Sequence, residues 1–144
     1  MSSVHPAIKF FISLAKTQSI LTNRFDRGLG GLGFSEFLIL YYISQAEEQK
    51  ISRIELAKKI GMTASGVTRL LLPMEKVHLV KSGPVEHDAR IRFVLMTSAG
   101  KEKLSEALER LEMYAEDFVS ADKIKELEKL SGLLVEIGGR ALMA

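Results

Sequence analysis

Apolar residues recur at intervals of three and four along most of the chain, which is the spacing of one side of an α-helix. The first such stretch predicts an amphipathic helix that opens near Pro6 and ends near Gly28, and residues 34–46 are apolar enough for a mostly buried helix. In the second half, Thr97 can cap a long helix, and a break at 120–122 precedes another amphipathic one. The pattern therefore predicts a mainly helical protein.

Two short helices are predicted in the middle of the chain. Ser52 and Glu55 have the spacing of a capping box, in which the Ser hydroxyl accepts from the Glu amide and the carboxylate reaches back. Gly61 is suited to end this helix in a left-handed conformation, and Thr63 is a natural N-cap for the next. The first short helix is expected to turn four apolar side chains inward: Ile54, Leu56, Ala57 and Ile60.

The second short helix, predicted over 63–78, has an unusual exposed side. Its buried stripe is formed by Val67, Leu70, Leu71 and Met74. The opposite side carries small and hydroxylated residues with a single Arg69, where a solvated helix usually carries long charged side chains. Small residues permit close approach to a DNA groove and Arg can bond guanine, although an ordinary surface helix with few charges would look the same. Pro73 lies inside the run and predicts a bend.

A β-hairpin is predicted after the second short helix. Residues 79–82 and 90–96 can pair as strands around an intervening turn, so that the wing spans 80–95. Asp88 could brace Arg90 through a charge-assisted pair and aim it at a minor groove. The same two residues would equally make an exposed ion pair with no further role.

This order of elements predicts a winged helix-turn-helix of the mainly α (α+β) class, with a two-stranded wing. We assign residues 1–144 to a single domain, in which 34–100 form the winged helix-turn-helix core and 1–30 and 101–144 form a helical dimerisation region. Apolar seams on the flanking helices favour a homodimer, which would space two recognition helices about 34 Å apart, one turn of DNA. Bundling of these helices within one chain is the alternative.

The charge of the chain is segregated along its length. Residues 50–103 contain eleven Lys and Arg and five Asp and Glu, a net +6, whereas the rest contains nine basic and thirteen acidic residues, a net −4, for a total of +2. A basic centre with acidic arms suits a module that faces phosphate, although chance segregation on a solvated surface gives the same counts. Double-stranded DNA is therefore the predicted partner.

Composition excludes several classes of protein. The absence of cysteine excludes disulfides, thiolate metal sites and a catalytic cysteine. Without an apolar run of about eighteen residues or a signal-peptide pattern, we expect a soluble cytoplasmic protein with no membrane partner. The three histidines are scattered and no nucleophile and base set is apparent, so we predict neither an enzyme nor a cofactor or metal.

A glycine-rich segment, Gly28–Gly33, has the spelling G-x-G-x-x-G that is typical of dinucleotide-binding loops. Such a loop follows a β-strand, whereas the residues before Gly28 have helical spacing. The segment is therefore interpreted as a loop between helices.

Twelve residues are predicted to lie at the DNA interface. Ser65, Thr68 and Arg69 would enter the major groove, and Arg90 would reach the minor groove. The full set is Ser52, Arg53, Thr63, Ala64, Ser65, Thr68, Arg69, Lys81, His87, Asp88, Arg90 and Arg92.

The run from Ile54 to Leu104 resembles the DNA-binding core of the MarR family (multiple antibiotic resistance regulators). The likeness lies in the helix-turn-helix, in Met74-Glu75-Lys76 for the family's Leu-Glu-Lys, in an Asp-x-Arg wing and in the Thr97–Gly100 entry to the next helix. His78 departs from it, because the family usually has Gly there and a left-handed backbone is harder for His. Asp88-Ala89-Arg90 departs from the Asp-Arg-Arg of many members, and Arg92 or Lys81 would have to replace the missing contact.

The resemblance implies a homodimeric transcriptional regulator, usually a repressor that a small ligand relieves. It also implies an effector crevice between the dimerising helices and the winged core, for which Phe11, Tyr41 and Tyr42 are candidate lining residues. These aromatics are equally explained as core. The alternative function is a winged-helix module that binds another protein through the same surface, without specific DNA binding.

Overall fold

The computed structural model describes residues 3–83 and 91–144. Within those residues it contains six α-helices and three β-strands, with 3₁₀ turns at Glu47–Gln49 and Ala121–Lys123. The order is α1 (Pro6–Asp26), α2 (Phe34–Gln45), β1 (Lys50–Ser52), α3 (Arg53–Ile60), α4 (Ala64–Lys76), β2 (Val80–Ser82), β3 (Phe93–Met96), α5 (Ser98–Phe118) and α6 (Ile124–Met143). The predicted mainly α winged helix-turn-helix is confirmed. Within the described ranges, no helix has the length and apolarity needed to cross a membrane.

The chain forms two compact units, residues 1–110 and 111–144. Helix α2 lies at the centre of the first unit, where it contacts α3, α4, β1 and β3. Its Ile39, Leu40 and Ile43 side chains are fully buried, so the prediction of a mostly buried helix is confirmed. The second unit holds the end of α5 and all of α6.

Three predicted helix caps are present. The Ser52 hydroxyl accepts from the Glu55 amide at 3.1 Å, and the Thr63 hydroxyl accepts from the Gly66 amide at 3.1 Å. At the start of α5, the Thr97 hydroxyl accepts from the Gly100 amide at 3.0 Å. Each bond satisfies one of the amides that the first turn of a helix leaves without a partner.

The prediction that Ile54 faces inward is wrong. Leu56 and Ala57 are buried and Ile60 is half-buried, but 62% of Ile54 is exposed. Two residues correspond to roughly 200° around a helix, so Ile54 and Leu56 cannot share one side. Ile54 instead lies in the first turn of α3, on the solvent side.

The prediction of a two-stranded sheet is incomplete, because β1 adds a third strand. The sheet is antiparallel with the order β1-β3-β2, and β3 pairs Ile51 with Val94 on one edge and Val80 with Met96 on the other. Lys50, Ile51 and Ser52 do alternate between half-buried and buried, but three residues are too few for that alternation to identify a strand in the sequence, and the last of them is also a helix cap. Strand β3 begins at Phe93, later than the predicted residue 90.

Helix α4 runs through Pro73 to Lys76, two residues short of the predicted end. His78 then adopts a left-handed conformation, with φ of +61°. Its amide donates to the Glu75 carbonyl at 3.0 Å and the Leu79 amide donates to the Met74 carbonyl at 2.9 Å. This is the bonding of a Schellman motif, with histidine in the position that glycine usually occupies.

Substitution His78→Gly is expected to stabilise the protein by about 0.5–1 kcal/mol, because glycine adopts the left-handed conformation without strain. The greater conformational entropy of glycine in the unfolded chain offsets only part of this stabilisation. The melting temperature should rise by roughly 2–4 °C in a thermal unfolding scan. Lys76→Gly is the control, since Lys76 is right-handed helix and the same substitution there should destabilise by about 1 kcal/mol. An equal or lower melting temperature for His78→Gly would show that the left-handed backbone of His78 is not strained.

Candidate nucleic-acid interface

The helix-turn-helix consists of α3, a short turn and α4. Gly61 ends α3 with φ of +80°, and the amides of Gly61 and Met62 both donate to the Ala57 carbonyl at 2.9 Å. Val67 and Leu71 are fully buried, as is Met74, and Leu70 is half-buried. This packing fixes which side of α4 faces solvent.

The solvent side of α4 carries the side chains that the sequence predicted. Ala64, Ser65 and Arg69 are exposed and Thr68 is half-buried. The Thr63 and Ser65 hydroxyls lie 3.2 Å apart. The first turn contains no acidic residue, so the positive end of the helix dipole is not neutralised locally.

A cavity of about 370 Å³ separates the N-terminal ends of α3 and α4 from the chain entering β3. It brings together five of the predicted interface residues and also has apolar walls, at Ile54 and Ile91. The predicted residues that line it are Ser52, Arg53, Ala64, Thr68 and Arg92.

Arg53 lies in this group but its guanidinium points to a protein partner. Its Nη2 donates to Glu75 Oε1 at 3.0 Å, and only 14% of the side chain is exposed. The guanidinium group is thus engaged within the protein rather than extended into solvent. Sequence reasoning missed Glu75, although an acidic residue in the last turn of a helix, where the dipole disfavours it, was a usable signal of a partner.

The described part of the wing presents two of the predicted basic residues. Lys81 is exposed on β2, opposite Leu95 in the register, and Arg92 is exposed just before β3. The predictions for His87, Asp88 and Arg90 fall outside the described residues, so they remain predictions.

The candidate effector residues are not gathered in one place. Tyr41 and Tyr42, with ring centroids 5.3 Å apart, line a second cavity of about 430 Å³. Phe11 is not part of that lining and is 49% exposed on α1. The other residues lining this cavity are Gln45, Ala46, Ile51, Glu55 and Lys59.

The described residues of α1 and α6 include none that is buried. In α1, Ile8, Phe11 and Ile12 are about half exposed or more, and in α6 the same holds for side chains such as Leu133 and Val135. Both helices therefore carry large apolar side chains that are exposed to solvent. Among the described residues, no group of His, Asp and Glu is placed to hold a metal ion.

Sequence comparison gives one significant relative. The HTH-type transcriptional regulator PapX of Escherichia coli is 27% identical over 73 residues, which are 51% of this chain and 44% of that protein. The match therefore spans less than half the length of that relative. No protein-family model matches the chain.

Comparison of structures finds similar folds over nearly the whole chain, MarR proteins among them. BldR, a transcriptional regulator from Sulfolobus solfataricus, has a TM-score of 0.77 and 25% identity, covering 94% of this chain and 99% of its own. Sco3205, a MarR family transcriptional regulator from Streptomyces coelicolor in complex with DNA, has a TM-score of 0.75 and 19% identity over 94% and 91%. A mutant of Escherichia coli MarR, complexed with operator DNA, has a TM-score of 0.67 and 21% identity over 90% and 99%. The predicted MarR-like fold is confirmed, and these proteins are regulators, in agreement with the prediction of a non-enzyme.

Proposed function

We propose that this protein is a homodimeric transcriptional regulator that binds double-stranded DNA in a sequence-specific way. The observation that carries the proposal is the solvent side of α4, which is small and hydroxylated, contains Arg69, and is set by the burial of the opposite side. Such a face can enter a major groove, whereas long charged side chains would hold it out.

In the proposed complex, Ser65, Thr68 and Arg69 contact base edges in the major groove. Ser65 and Arg69 are four residues apart and exposed, so they lie on one side of α4 within reach of neighbouring base pairs. An Arg can donate two bonds to guanine, which is the commonest specific contact in the major groove.

Phosphate contacts would come from the two helix starts and from the wing. The helix starts carry the Ser52 and Thr63 caps, and amides at such positions attract phosphate. The exposed Arg92 lines the same cavity as the two helix starts, and the exposed Lys81 adds positive charge on β2. Two of the structures similar to this chain contain bound DNA, which supports DNA as the partner.

The exposed apolar sides of α1 and α6 support the proposed dimer. A second copy that covers them by two-fold symmetry would remove this surface from water and give a pair of recognition helices for two half-sites. We further propose that the regulator is a repressor relieved by a small ligand, for which the cavity beside Tyr41 and Tyr42 is the candidate site.

A protein-binding winged helix is the second candidate function. The exposed Ile54 and Ile91 favour it, because both are apolar and both line the cavity between the helix starts and β3. Apolar side chains in such a place suit a protein partner better than phosphate. Salt dependence separates the two functions.

Binding to the promoter region beside the gene, measured by fluorescence anisotropy, is expected to weaken steeply with salt. The slope of log K against log salt should be roughly −5 or steeper, because each neutralised phosphate contributes about −0.9. A flat salt dependence, or no binding to any duplex in dilute buffer, would favour the protein-binding module.

Arg69→Ala is expected to change base preference at one position of each half-site, with a loss of about 1–3 kcal/mol on the preferred sequence. Arg90→Ala should weaken binding more evenly across sequences. Lys125→Ala, an exposed cation on α6, is the matched control and should leave affinity unchanged. Wild-type specificity in Arg69→Ala would show that the assignment of α4 is wrong.

The apolar stripe of α6 includes Leu127 and Leu130, which are both exposed and would be covered in the proposed dimer. Leu130→Glu is expected to convert the dimer to a monomer in sedimentation, because it places a charge in this stripe. DNA affinity should fall with it. Lys129→Glu adds a negative charge at the adjacent position, away from that stripe, and should remain dimeric. A wild-type protein that sediments as a monomer at every concentration would exclude the dimer.

A further inference from the structure

One carboxylate oxygen joins three elements of the winged helix. Glu75 Oε1, in the last turn of α4, accepts from Arg53 Nη2 at 3.0 Å and from the Ser82 hydroxyl at 3.5 Å. Arg53 is the first residue of α3, and Ser82 is the last residue of β2. The recognition helix, its partner helix and one strand of the wing therefore meet at a single charged group.

The backbone of Arg53 extends the connection to the other strand. Its amide donates to the Arg92 carbonyl at 2.9 Å, immediately before β3 begins at Phe93. The Gly83 amide, immediately after β2, donates to the Phe93 carbonyl at 2.8 Å. Both strands of the wing are thus tied, directly or through one bond, to the ion pair.

The ion pair is shielded from solvent. The exposed fractions are 14% for the Arg53 side chain and 29% for that of Glu75. Arg53 Nε is buried and has no hydrogen-bond partner among the described residues, and Glu75 supplies a negative charge beside this largely buried guanidinium. Removal of either partner from such a pair leaves the other charge poorly compensated, so that the geometry around it relaxes.

We propose that Arg53 and Glu75 are positioning residues, which hold the wing at a fixed angle to α4 and do not themselves contact DNA. This inference rests on the proposed DNA-binding function and changes the role of Arg53 from a contact to a brace. It also accounts for a carboxylate on the recognition helix, where it would otherwise only repel phosphate.

The proposal is tested by whether Glu75→Gln weakens or tightens DNA binding. Loss of a negative charge alone would tighten binding to phosphate, whereas loss of the brace should weaken binding about tenfold, within the range found for contacting pairs. The salt slope should stay unchanged, because no phosphate contact is lost. Glu102→Gln, the same charge change on an exposed residue of α5, should bind as tightly as wild type or slightly more tightly. Unchanged or tighter binding by Glu75→Gln would overturn the proposal.

A double-mutant cycle tests whether the two residues act as one unit. Arg53→Gln should weaken DNA binding about as much as Glu75→Gln. The double variant should bind DNA no more weakly than the single variant with the lower affinity. If Arg53→Gln instead makes the salt slope shallower by about one, Arg53 is a phosphate contact and the proposal is wrong. Circular dichroism of each variant confirms that the helices are folded.

Hydrogen exchange of the DNA-free protein tests the brace without reference to DNA. In Glu75→Gln, amides of segments 80–83 and 92–96 should exchange faster, while those of α2 should keep the wild-type rate. If the amides of both wing segments exchange at the wild-type rate in Glu75→Gln, the proposal that Glu75 holds the wing is wrong, even if DNA binding is confirmed. If wild-type protein binds no duplex, the proposed function fails, and the exchange comparison still decides whether Glu75 holds the wing.

Discussion

Burial of one side of α4 governs the other features of the winged helix. Val67, Leu71 and Met74 have no exposed surface, and they pack in a unit where α4 contacts both α2 and α3. Because these side chains hold one side of α4 in the core, the opposite side of the helix must face solvent. The exposure of the small and hydroxylated face around Arg69 is therefore a consequence of core packing.

The exit of α4 transmits that constraint to the wing. The left-handed His78 reverses the chain, and the Thr97 hydroxyl donates to the Leu79 carbonyl at 3.0 Å as β2 is about to begin. Gly100, in the first turn of α5, lies so close to the same carbonyl that a side chain would not fit. The start of the wing is thus held between two helices, and the proposed Arg53–Glu75 brace would act further along the same strands.

Not every basic residue of the central segment is free to attract phosphate. The basic centre of the sequence counts Arg53 among its cations, yet its guanidinium is bonded to Glu75. The pair contributes nothing to the net charge, so the surplus that could attract phosphate resides on residues such as Arg69, Lys81 and Arg92, which are exposed. The exposed cations can attract phosphate at long range, whereas the proposed role of Arg53 is to position the wing.

The helices, their caps at Ser52, Thr63 and Thr97, and the solvent face of α4 could all be predicted from the amino-acid sequence alone. Caps and periodicity are local, because each depends on residues within a few positions of one another. The third strand, β1, and the bond from Arg53 to Glu75, 22 residues away, became visible only in the folded chain. Such pairings depend on how the core brings distant segments together, and no short window of sequence contains both partners.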